Sequence, residues 1–69
     1  MTTRAVGAYF AKLHQGKSVD LWGSTCKCIA YICERYHRKE ARQILRKLYR
    51  QTSQCSSSAY YLNAARMLS

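Results

Sequence analysis

Large apolar residues recur at three- and four-residue spacing near the start of the chain: Val6, Phe10 and Leu13, joined by Tyr9. That period predicts a short amphipathic helix from Thr3 to His14, with Gly16 as its stop. Gly7 weakens this helix by up to about 1 kcal/mol relative to alanine, so it must rely on packing. Between Gln15 and Gly23 the periodicity lapses. Gly16 and Gly23 bracket a connection in which Ser18 can cap a turn and Trp22 can plug into the core.

Ser24 or Thr25 can then cap a second helix, which meets no glycine or proline before the hydroxyl-rich stretch after Gln51. One helix over about 25–51 is expected. At 100° per residue it carries Cys26, Ile29, Ala30, Cys33, His37, Ala41, Ile44 and Leu48 on one side. Tyr31, Arg35, Arg38, Lys39, Arg42, Arg46, Tyr49 and Arg50 fall on the other. At 1.5 Å rise per residue such a helix approaches 40 Å, long for a lone globule of 69 residues. Pairing two chains along the apolar seam would relieve that mismatch. Ser56, Ser57 or Ser58 can cap a third helix, in which Tyr61, Leu62, Ala65 and Leu68 form an apolar stripe. The expected fold is therefore all-α, with residues 1–69 as one small domain. It has a short N-terminal helix, one long basic helix and a short C-terminal helix, assembled as a helical-bundle homodimer.

Composition changes this picture mainly through charge. Twelve Lys or Arg stand against three Asp or Glu, a formal net charge of +9, which draws polyanions to the chain. Eight of the twelve (Lys27, Arg35, Arg38, Lys39, Arg42, Arg46, Lys47 and Arg50) lie in the expected long helix, opposed there by Glu34 and Glu40 alone. A face that merely solvates a helix mixes signs to gain pairs one turn apart. Here like charges sit side by side, and arginine's planar fork matches phosphate better than a lysine ammonium does. Arg35, Arg38, Lys39, Arg42, Arg46 and Arg50, with Tyr31 and Tyr49 beside them, are the candidate nucleic-acid contacts. Asn and Gln, the usual adenine readers, are nearly missing from this face, with only Gln43 beside it and Gln51 closing it. Phosphate and shape contacts are therefore expected over base readout. Duplex or structured RNA is favoured over DNA as the partner. Small viral proteins that mask double-stranded RNA from host silencing include helical dimers of this general plan. The chain carries none of their motif residues, so the analogy is one of architecture. The alternative is a small viral or phage interaction module whose basic face docks an acidic host protein.

Cys26, Cys28, Cys33 and His37 read C-x-C-x4-C-x3-H, which raises the question of zinc. Cys33 and His37, one turn apart, could share a metal, but Cys26 would lie about 10 Å along the axis from Cys33. Cys28 points toward the basic side and is expected to be exposed. Cys26 and Cys33 are expected instead as small, reduced core residues, and neither metal nor cofactor is expected. Disulfides meet the same distance barrier, since bridged α-carbons sit within about 7 Å. His14 is expected to meet the last carbonyls of the first helix. The three carboxylates are scattered at Asp20, Glu34 and Glu40, and no nucleophile–base order or glycine-rich phosphate loop appears, so no enzyme is expected. No apolar run approaches the roughly 18–20 residues of a membrane span. No secretory signal is visible near Met1 either. An intracellular protein, cytoplasmic or nuclear, is the expectation.

Overall fold

Thr2 opens the first helix: its Oγ1 accepts the Ala5 amide at 3.0 Å, filling one of the donors that every helix start leaves free. The helix, α1, spans Thr3–Gly16. In the computed structural model, the backbone is described for residues 1–16 and 21–69 and the side chains for 1–13 and 25–69. Three further helices follow: α2 at Leu21–Arg35, α3 at Arg38–Gln51 and α4 at Ser58–Met67. Among the described residues there is no strand, so the all-α expectation holds. The parts expected of Trp22, Ser18 and His14 lie outside the described residues.

The helix layout differs from the expected one in two places. First, α2 begins at Leu21, ahead of the Ser24 and Thr25 expected to cap it. Thr25 lies inside the helix and is buried. A glycine at position 23 costs a helix roughly 1 kcal/mol relative to alanine; the extensive packing of α1 on α2 outweighs that local preference. Second, the helix expected over 25–51 is two helices. The Tyr36 amide makes a last bond to the Ile32 carbonyl at 3.0 Å, and His37 then adopts extended backbone, with φ −73° and ψ 163°. Glu40, three residues on, turns back so that its Oε1 accepts the His37 amide at 3.4 Å, one arm of a capping box. The His37 carbonyl accepts the Ala41 amide at 2.7 Å and α3 is under way. Its acid sits in the first turn of α3, while Arg35 sits in the last turn of α2, each at the helix end whose dipole favours it.

The break is what lets one small core form. The longest dimension of the molecule is 30 Å, shorter than the roughly 40 Å of the expected rod. By folding back after Arg35, the chain puts Ala41 and Leu45 of α3 into the same cluster as Ile29, Ile32 and Cys33 of α2. Val6 and Phe10 enter from α1, and Tyr61, Ala64, Ala65 and Leu68 from the C-terminal segment. The apolar face of α3 is thereby rotated from the expected one: Leu45 is fully buried, whereas Ile44 and Leu48 pack only in part. His37, expected on the apolar seam, is exposed at the bend. In α4, Ala64 replaces Leu62 in the buried stripe, and Leu62 is half-buried. Ser57 occupies the cap position of α4 without a side-chain capping bond; backbone turns through Cys55 and Ser57 lead into the helix instead.

Gly7 shows why the first helix tolerates its weak former. A methyl group there would stand 3.1 Å from the Cys33 Cβ, so the glycine permits the close approach of α1 to α2. Tyr9 stays exposed but sets its ring edge-on to Phe10, with centroids 5.1 Å apart.

Cys26 and Cys33 are core residues, as the sequence suggests, and burial pushes the Cys33 thiol up from its usual value. Cys28 is half-buried against the core, because it faces α4 rather than the basic side, and it shares a hydrogen bond with the Tyr61 hydroxyl. Burial first, and Cys28 second, push the Tyr61 phenol up to about 12. A raised phenol favours the folded state while it keeps its proton. Its contribution is complete below pH 10 and is lost as pH climbs through about 12. In a near-ultraviolet tyrosinate titration, the last step should therefore disappear in Tyr61→Phe. An unchanged final step would place this phenol elsewhere.

Candidate nucleic-acid interface

Six of the fourteen residues of α3 are Lys or Arg, and Glu40 is the helix's single acid. Burial of Ala41 and Leu45 fixes which way these cations point. At 100° per residue, Arg42, Arg46, Lys39 and Arg50 fall within an arc of about 80° on the flank away from those two residues. Gln43 and Lys47 extend the arc on its solvent side. Lys39, Arg46, Lys47 and Arg50 are exposed, and Arg42 is half-buried. From Lys39 to Arg50 the row runs about 16 Å along the axis.

The remaining candidates are placed differently. Arg38 begins α3 but is not part of this row. Its Nε donates to the Leu68 carbonyl at 2.8 Å, and its Nη2 donates to the Met1 carbonyl. A cation in the first turn of a helix opposes that helix's dipole. Here the guanidinium instead satisfies a carbonyl at the C-terminal end of α4, where partial negative charge collects. Arg38 is thus a brace between the two chain ends. Arg35 belongs to α2, on the far side of the bend, and lies over the Tyr31 ring at 4.9 Å from its centroid. Both are exposed, and each is occupied with the other through a cation–π contact. Tyr49 is half-buried and packs partly against the core rather than projecting beside the row. The eight candidates therefore divide into a row (Lys39, Arg42, Arg46, Arg50), a pair (Tyr31 with Arg35), a brace (Arg38) and a packed ring (Tyr49).

Hollows among the described residues include two that flank the helices. The larger, about 600 Å³ between α1 and α2, is lined chiefly by small residues such as Gly7, Ala8 and Ala11, and its charged groups, Arg4 and Glu34, are of opposite sign. The other, about 250 Å³, lies between α3 and α4 and is lined by Arg46, Tyr49, Arg50, Leu62, Ala65 and Arg66. Arg66, in the last turn of α4, brings a third guanidinium to this groove. Sequence periodicity does not reveal it: Arg66 is twenty residues from Arg46, and only the packing of α4 on α3 makes them neighbours.

Among the described residues, no three His, Cys, Asp or Glu side chains gather where a metal ion could be held. Cys26 and Cys33 point into the core while His37 stands at the bend, so the C-x-C-x4-C-x3-H spacing does not become a cluster. Among the same residues no helix is long and apolar enough to cross a membrane. No protein-family model, curated protein or solved structure matches the chain.

Proposed function

We propose that this protein binds the phosphate backbone of duplex or structured nucleic acid, RNA in preference to DNA, without strong sequence specificity and without catalysing a reaction. The observation that carries the reading is the row Lys39, Arg42, Arg46 and Arg50 on one flank of α3, in a helix whose single acid is engaged at its own N-terminus. Four like charges within about 16 Å repel one another in the free protein, and a line of phosphates removes that repulsion. Gln43 is the one amide beside the row, too little for a base-reading code, which leaves shape and phosphate contacts as the means of recognition. In duplex RNA these are the features a protein surface meets most readily. A role in masking double-stranded RNA, as a viral accessory protein would, requires nothing beyond this face.

One chain presents the whole row. The homodimer expected from a helix too long for its core is therefore not needed for binding, because the bend at His37 supplies each chain with its own core. The test is a salt titration of binding to a random duplex of roughly 20 base pairs, RNA and DNA in parallel. Binding whose logarithm falls linearly with the logarithm of salt concentration, with RNA ahead, is the expected result. No duplex binding at about 50 mM salt would overturn the proposal.

A further inference from the structure

Arg46 and Arg50 stand one turn apart on α3, and Arg66 of α4 lines the same groove with them, together with Tyr49, Leu62 and Ala65. No carboxylate lines this groove, and α4 contains no acid at all. Taken singly, each arginine has an ordinary explanation. Arg46 and Arg50 continue a solvated row, and Arg66 suits the negative end of the α4 dipole. Those explanations do not account for the convergence of all three on one hollow. Three guanidiniums around a partly enclosed space interact through less water than they would on a flat surface, so their mutual repulsion and their attraction for an anion are both strengthened. Beside the arginines, only the Tyr49 hydroxyl among the lining side chains can meet a ligand's polar atoms, so recognition falls chiefly to the guanidinium N–H forks. Those forks match the tetrahedral oxygens of phosphate, and more than one can engage the same group.

We propose that the α3–α4 groove is a phosphate seat, in which Arg46, Arg50 and Arg66 grip one phosphodiester of the bound nucleic acid. The inference rests on the nucleic-acid reading above and deepens it. Lys39 and Arg42 attract and align the backbone, and the groove fixes its position. Arg66, which lies outside the α3 row, becomes a binding residue. The half-buried Tyr49 ring forms part of the lining of the seat.

The experiment compares wild type, Arg66→Gln and Arg66→Lys, with circular dichroism as the control that the exposed position leaves the fold intact. Duplex binding is measured against salt, and inorganic pyrophosphate is titrated separately while the arginine Nε–H resonances are followed by NMR. Arg66→Gln should lower the salt slope by about one and weaken binding by up to roughly tenfold. Arg66→Lys keeps the charge and loses the fork, so it should restore the slope but not the full affinity. Pyrophosphate should shift Arg46, Arg50 and Arg66 at lower concentration than it shifts Arg35. Wild-type duplex binding with an unchanged slope in Arg66→Gln would overturn the seat while leaving the proposed function standing. The reverse outcome, pyrophosphate in the groove with no duplex binding, would overturn the nucleic-acid reading and assign the seat to a small phosphorylated ligand. Pyrophosphate shifts spread evenly over all arginines would overturn the seat as well.

Discussion

Exchanging Arg42, Arg46 and Arg50 together for glutamine should reduce duplex affinity by about 10²- to 10³-fold near 0.1 M salt and lower the salt slope by nearly three. The estimate follows from counterion release: each lost phosphate contact removes about 0.9 from the slope on duplex DNA, and at this salt each also removes nearly one power of ten in affinity. Two of the three side chains are exposed and Arg42 is half-buried, so the triple variant should keep its helicity by circular dichroism. The informative partner is Arg38→Gln. On a continuous helix, Arg38 would belong to the same row and its loss would lower the slope like the others. With Arg38 bonded to the Leu68 and Met1 carbonyls, its loss should instead cost about 1–2 kcal/mol of stability, visible as a lower urea midpoint, with the slope unchanged. A fall in slope for Arg38→Gln equal to that of Arg42→Gln would show that the brace does not hold in solution.

This contrast also shows what could be read from the residues in order and what could not. Val6 and Phe10 are visible as core because both lie on one stripe within a single short helix, and the cations of α3 are visible as a row for the same reason. A wheel drawn across residues 25–51 fails at Tyr36 and His37, where no glycine or proline marks a stop. The available cue was weaker. Glu40 stands three residues after His37, as a capping box requires, but histidine is not among the preferred cap residues, so the pattern does not announce itself. Once that bend is missed, the face of α3 is drawn at a shifted angle relative to the core, although Ala41 still falls inward and the row of cations outward. Ile44 then seems inward and Leu45 does not, and Arg38 joins a face it does not share. Arg66 is missing for a different reason, since its neighbours come from another helix and no local period encodes them.

The rotated face of α3 gives a second large expected effect. Leu45→Asp should leave the chain unfolded at neutral pH, whereas Ile44→Asp should leave it folded with a lower urea midpoint. Leu45 is fully buried in the shared cluster, so the exchange removes a core side chain, a loss of about 2–5 kcal/mol. It also places a carboxylate where no water or partner meets it, at a further cost of several kcal/mol. Small domains have roughly 0.05–0.15 kcal/mol of stability per residue, which for this chain is about 3–10 kcal/mol, so the combined cost reaches or exceeds the whole. Ile44 packs only in part, and an aspartate there can turn its charge toward solvent, limiting the loss to about 1–2 kcal/mol. Far-ultraviolet circular dichroism separates the two outcomes without ambiguity. If Ile44→Asp unfolds the protein and Leu45→Asp does not, α3 is in the register of an unbroken helix, and the bend at His37 that gives each chain its own core is not present in solution.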